Sequence, residues 1–227
     1  MRIGESYTIS WTQLGYTRDP ADFNRLAVKL YCYPQSEPAN KWTVATAAPL
    51  TGTDGGSYIW TVPNFIHSDL IMRVEDPNDN GAFDVSDSTF KIMRGFVVTS
   101  PTKDSKWYVG DPCTITWTYT GSECTVGLYY SISGGIVGSW NPISGGSAAA
   151  SDLHWDWQSV PNDITAQLKI KVGDANDADA YGVGPAGTDM AKIRAKFNLT
   201  TPAGGEELIV GDQFTITWIN EGTVNKV

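Results

Sequence analysis

No apolar run in this 227-residue sequence approaches the ~20 residues that a membrane-spanning helix needs. The opening stretch, Met1-Arg2-Ile3-Gly4-Glu5, lacks the apolar segment of a secretory signal, so any export signal is expected outside this sequence. Charge is scarce. Only 18% of residues are charged, and acidic side chains outnumber basic ones, 25 to 16. The net charge of −9 repels phosphate backbones, and there is no basic patch, which excludes the electrostatic footprint of a nucleic-acid binder. His67 and His154 are the only histidines. The sequence has no nucleophile elbow, paired zinc-ligand motif or phosphate-cradling glycine loop, so no catalytic residue is assigned and the chain is expected not to be an enzyme. Cysteine is limited to Cys32, Cys113 and Cys124, and an odd number is not a disulfide framework. Cys113 and Cys124 each open a strand of one expected antiparallel pair. They would lie at opposite ends of it, roughly 15 Å apart and beyond the ~7 Å Cα limit for a bridge.

Glycine (23), proline (12) and aromatics (11%) are present in quantity, with 41% hydrophobic residues. That mixture suits many short strands joined by turns and packed on a real core. The main signal is an internal repeat. Residues 1–11 read MRIGESYTISW, 107–117 read WYVGDPCTITW and 208–218 read LIVGDQFTITW. The tryptophans that close them, Trp11, Trp117 and Trp218, are 117 − 11 = 106 and 218 − 117 = 101 residues apart. A period of that length fits one sandwich domain per repeat rather than a solenoid. Further pairs follow: Val28-Lys29-Leu30-Tyr31 answers Val126-Gly127-Leu128-Tyr129, Trp42 answers Trp140, and Trp60 answers Trp157. His67 and His154 are not at equivalent positions. In Cys113-Thr114-Ile115-Thr116-Trp117 the apolar residues share one face and the threonines the other. Tyr7–Trp11 and Phe214–Trp218 repeat the pattern, which predicts half-buried antiparallel strands.

These residues resemble the immunoglobulin-like repeat of the fungal Ser/Thr-rich, GPI-anchored cell-wall family linked to β-glucan assembly, which has relatives in bacterial surface proteins. The resemblance rests on Ser100-Pro101, Trp107-Tyr108-Val109-Gly110, Ile115-Thr116-Trp117, Tyr130-Ser131, Trp60-Thr61-Val62-Pro63, Arg73-Val74-Glu75-Asp76 and Ser86-Asp87-Ser88-Thr89-Phe90-Lys91-Ile92. It covers nearly the whole chain. Repeat two departs from it, with Gly184-Pro185 and a longer loop in place of Ser-Asp. The resemblance implies an all-β fold of tandem immunoglobulin/fibronectin-III-like β-sandwiches and an extracellular or cell-surface setting. The expected organisation is residues 1–93 as repeat one without its first strand, 94–193 as a complete repeat two, and 194–227 as the first strands of repeat three.

The loop Asp76–Asp87 is the candidate metal site. Counted from Asp76, oxygen-bearing side chains fall at positions one, three, five, nine and twelve: Asp76, Asn78, Asn80, Asp84 and Asp87. Gly81 stands at six. That is the spacing of a calcium loop, with Asp in place of the long bidentate Glu at twelve. The same residues are also the natural choice for an Asn/Asp-rich turn. Its counterpart, Asp174–Asp179, loses the fifth and later ligands. The nine tryptophans recur at repeat-equivalent positions, which favours a packing role over a sugar-stacking platform.

The resulting expectation is a structural or adhesive module of a cell-surface or filament protein, with neighbouring repeats or like chains as partners and calcium as the candidate ion. Repeat one lacks a strand and the tail offers two, so the chain reads either as a fragment of a longer gene product or as a subunit that polymerises head to tail by strand addition. The alternative is a carbohydrate-binding accessory region of a larger secreted hydrolase, with cell-wall polysaccharide as its partner.

Overall fold

The computed structural model describes residues 1–12, 27–49 and 55–224. They fall into two compact units, Met1–Gly95 with Thr120–Ser122, and Phe96–Tyr119 with Glu123–Val227.

Unit 1 holds strands β1 (Ser6–Thr12), β2 (Ala27–Pro34), β3 (Trp42–Pro49), β4 (Gly55–Thr61), β5 (His67–Glu75), β6 (Phe83–Val85) and β7 (Phe90–Ile92). One sheet is the antiparallel pair β1-β4, with Ile9 opposite Tyr58. The other runs β3-β2-β5-β6, and β7 also pairs with β5. Trp60 and Val62 from the first side meet Cys32, Leu70 and Ile92 from the second in one buried cluster. Period-two alternation produces this layering, because every second side chain of a strand points to the same face. The unit closes where its ends meet, through a parallel bridge between Arg2 and Met93.

Unit 2 holds β8 (Gly95–Ser100), β9 (Lys106–Tyr108), β10 (Cys113–Thr120), β11 (Thr125–Ser131), β12 (Asn141–Ala149), β13 (His154–Trp157), β14 (Thr165–Asp174), β15 (Tyr181–Gly184), β16 (Ala191–Arg194), β17 (Lys196–Thr201) and β18 (Thr217–Glu221). One sheet is β13-β10-β8, the other β12-β11-β14-β16-β9 with β15 also on β14. Ile115, Trp117 and Trp157 of the first sheet and Leu128, Ile170 and Val172 of the second are all buried. The first strand of this sandwich is split between the two sheets. Its opening part, β8, pairs with β10. Its continuation, β9, runs parallel to β16 with Trp107 opposite Ile193. The chain is all-β and is built as tandem immunoglobulin/fibronectin-III-like sandwiches.

Repeat three contributes the antiparallel pair β17-β18. The strand expected over Phe214–Trp218 starts only at Thr217. In unit 2 the equivalent run, Cys113 to Thr116, is held by β13, with Cys113 opposite Trp157 and Thr116 opposite His154. No described strand plays that part for Phe214–Ile216, so the run has no ladder to join.

Candidate functional site

Of the segment Asp76–Asp87, residues 76–82 join β5 to β6 and hold a double Asx turn. The Asn78 backbone N–H donates to Asp76 Oδ1 at 2.7 Å, and the Gly81 N–H donates to Asp79 Oδ1 at 2.9 Å. Unit 2 repeats the arrangement in its counterpart loop. There Asn176 N–H donates to Asp174 Oδ1 at 2.9 Å and Asp179 N–H to Asp177 Oδ1 at 3.1 Å. A cation already lies against the unit 1 loop. The Arg73 guanidinium donates from Nη2 to the Asn80 carbonyl at 3.0 Å, rests 3.5 Å from the centre of the Phe83 ring, and donates from Nε to Glu75 Oε2 at 2.7 Å. Asp84 and Asp87 lie apart from the turn and line a groove beside β1. Among the described residues no group of three or more His, Cys, Asp or Glu side chains is placed to hold a metal ion.

The tryptophans divide between inside and outside. Trp60, Trp117 and Trp157 are core residues. The repeat-equivalent Trp42 and Trp140 differ in face: Trp42 stands opposite core residue Cys32 and packs on Phe65 at 4.6 Å between ring centres, whereas Trp140 lies on the outer face of the larger sheet, where the repeat keeps a cation among aromatic rings. In unit 2, Lys171 Nζ lies 4.4 Å from the Tyr129 ring centre, 5.2 Å from Trp140 and 5.6 Å from Tyr181. Burial lowers the Lys171 pKa, as desolvation does for any ammonium. In unit 1, Arg73 sits over Phe83, and Lys41 lies 5.5 Å from the Tyr31 ring centre. Trp42, Phe83 and Tyr181 are exposed. Repetition marked these positions without telling which face they serve.

The two sandwiches differ most at the strand that covers their equivalent edges. In unit 2, β10 is flanked by β13 on one side and β8 on the other. In unit 1 its counterpart β1 pairs with β4, and no described strand takes the other side. The consequence appears in burial. Ile115 and Trp117 are 0% and 1% exposed, whereas Ile9 and Trp11 are only half-buried. A groove of about 430 Å³ opens there, between Ile9–Thr12 on one wall and Val74 with Asp84–Asp87 on the other. Its polar wall has a counterpart in unit 2. The register Val74 opposite Asp84 matches Val172 opposite Gly182. Gly182 has no room for a side chain, since a Cβ there would meet the Phe96 carbonyl oxygen of β8 at 2.3 Å. The calcium spacing drew Asp84 into a loop, but the structure makes it a groove-lining position of β6.

The β17-β18 pair has the opposite character. Phe197, Leu199, Ile216 and Trp218 are 52%, 55%, 58% and 46% exposed. Their equivalents one period earlier are Phe96, Val98, Ile115 and Trp117, of which Phe96 is 3% exposed. Residues with the pattern of a sandwich core thus lie on the surface.

No family model matches the chain, and no curated protein matches it. Among solved structures it is similar to the fibronectin(III)-like modules of Clostridium thermocellum CbhA, at 14% identity over 85% of this chain and 86% of that one, with a TM-score of 0.27. It is similar to the N-terminal four Ig domains of Dscam1 isoform 6.9 at 15% identity, over 85% of this chain and 42% of that one, with a TM-score of 0.29. A titin Z1Z2 tandem chimera matches at 12% identity over 85% of this chain and 91% of that one, with a TM-score of 0.26.

Proposed function

We propose that this chain is a structural or adhesive module of an extracellular or cell-surface protein, without catalytic activity, and that it acts by joining its strand edges to like chains. The observation that carries this reading is the unequal treatment of equivalent strands: β10 is closed by β8, while β1 has β4 alone among the described strands. A sheet edge is a ready template for another strand, and strand addition is a recurrent mode of recognition. The extracellular setting rests on the resemblance to the cell-wall repeat family. Among the described residues no helix is long and apolar enough to cross a membrane. This reading does not require calcium at Asp76, Asn78, Asn80, Asp84 and Asp87.

The test is size and shape in solution across a concentration series, by X-ray scattering and electron microscopy. The reading expects particles that lengthen with concentration. A monomer at every concentration would overturn it.

The carbohydrate-binding alternative is favoured by a different observation, the exposed outer-face rings Phe83 and Tyr181. Co-sedimentation with insoluble β-glucan, cellulose and chitin separates the two. Sedimentation lost in Phe83→Ala and Tyr181→Ala would favour the polysaccharide, and none at all would favour the strand edges.

A further inference from the structure

Unit 2 shows how this sandwich seats its first strand, and that seat can be compared with unit 1 residue by residue. On β8, Phe96 stacks on Tyr119 at 6.3 Å between ring centres. Thr99 and Thr116 bring their hydroxyl oxygens to 2.7 Å, and Ser100 Oγ donates to the Thr114 carbonyl at 3.2 Å. On the acceptor side, the offset that takes Trp11 to Trp117 is 106, so Ser10 is the counterpart of Thr116 and Tyr7 of Cys113. On the donor side, the offset of 101 takes the whole of β8, Gly95–Ser100, onto β17, Lys196–Thr201. Phe197, Leu199 and Thr200 then stand for Phe96, Val98 and Thr99, and Thr201-Pro202 for Ser100-Pro101. The equivalence extends to side-chain geometry. Thr200 and Thr217 bring their hydroxyl oxygens to the same 2.7 Å as Thr99 and Thr116, so β17 must exchange β18 for β1 to take the equivalent seat.

We infer that the groove between β1 and β6 of unit 1 receives β17 of a second copy, with Phe197 and Leu199 in the places that Phe96 and Val98 hold in unit 2. This rests on the strand-joining reading above and gives it a donor, an acceptor and a register. Three observations bear on the choice of occupant. The donor shows its apolar side to solvent, with Phe197 and Leu199 both more than half exposed. The acceptor is short of cover, with Ile9 and Trp11 half-buried where their counterparts are sealed. The chain carries a working example of the joint, β8 on β10, one period away from each partner. Burial of two large apolar side chains and closure of an open sheet edge act in the same direction.

The seat is not a copy in one respect. Asp84 stands where Gly182 lets β8 come close. A strand in unit 1 must therefore ride higher over β6, and the carboxylate is left facing the incoming backbone. Asp84 limits how tightly the joint closes, which gives the inference a variant that gains rather than loses.

The experiment pairs Ser10→Cys with Thr200→Cys, the positions matching Thr116 and Thr99, and follows cross-linking on non-reducing gels, with each single variant as control. The expected result is a reducible ladder of two, three and more copies from the double variant alone. Phe197→Asp, an exposed position that the fold does not need, is expected to raise the half-assembly concentration about tenfold or more, and Asp84→Gly to lower it. Assembly in scattering without the ladder from the double variant would overturn this register while leaving strand joining intact. A cross-link confined to monomers would place a chain's own tail in its own groove and overturn exchange between copies. Monomers without any cross-link would remove both.

Discussion

The indole N–H of Trp117 donates to the carbonyl oxygen of Ala150 at 3.0 Å, inside the closed second sandwich. The bond ties the middle of β10 to the turn that follows β12. Trp117→Phe keeps an aromatic ring and removes this donor, leaving the Ala150 carbonyl with the Leu153 N–H at 3.3 Å. It is expected to lower stability by about 0.5–1.5 kcal/mol, read from the urea midpoint at unchanged slope. Trp117→Ala adds a cavity and is expected to cost about 3–5 kcal/mol.

Two thiols, buried Cys32 and half-buried Cys113, bear on the alkaline limit. Burial pushes Cys32 up to about 12, and burial with the nearby Asp156 charge pushes Cys113 up to about 12. Tyr130 is also raised to about 12, by burial first and then by its hydrogen bond to Asp163. The fold holds all three protonated above their unfolded values, 9.0 for the thiols and 10.0 for the phenol. Their stabilisation is therefore complete below pH 9 and is lost as pH rises toward 12. Desolvation lowers the pKa values of buried Lys169 and half-buried Lys171, and their contribution rises with pH over a lower range. Melting temperature is expected to fall from pH 9 upward, with a shallower fall in Cys32→Ala. A slope that Cys32→Ala leaves unchanged would take that thiol out of the account.

The Asx turns are expected to matter alike in both units. Asp76→Ala and Asp174→Ala each remove an acceptor from a backbone N–H, at a cost of about 0.5–1.5 kcal/mol. Millimolar calcium is expected to leave the melting temperature of the unsubstituted chain unchanged, and a rise abolished by Asp76→Ala would make the loop a cation site.

Gly182→Ala tests the seat of the first strand. The added methyl meets backbone, the Phe96 carbonyl oxygen at 2.3 Å, so a rotamer change cannot relieve it. Destabilisation of about 1–3 kcal/mol is expected, with faster amide exchange along β8 in unit 2.

Most strands were legible in the sequence because alternation and repetition agreed. Tyr7–Trp11 lies within β1 and Cys113–Trp117 within β10. Phe214–Trp218 carries the same alternation but is strand only from Thr217, because a ladder needs a partner as well as a pattern. Trp42 and Trp140 were legible as a repeated pair, but not that Trp42 packs on Phe65 while Trp140 lies beside Lys171, since period two separates the faces of a sheet without naming them. The groove was harder still. It follows from which neighbour β1 lacks, and from Gly182 facing Phe96 while Asp84 faces open space. Neither is visible until strands are paired.

The split first strand of unit 2 also decides how the domain meets tension. β9 lies near the entry of the unit and β16 near the exit from its sandwich, and they run parallel over three residue pairs, Lys106–Lys192, Trp107–Ile193 and Tyr108–Arg194. Pulling the two ends apart loads those hydrogen bonds in shear, so they must yield together rather than in sequence. Unit 1 closes through the single parallel bridge Arg2–Met93. In single-molecule stretching the second sandwich is therefore expected to rupture at the higher force, and the first to act as the weaker link that lengthens before its neighbour opens.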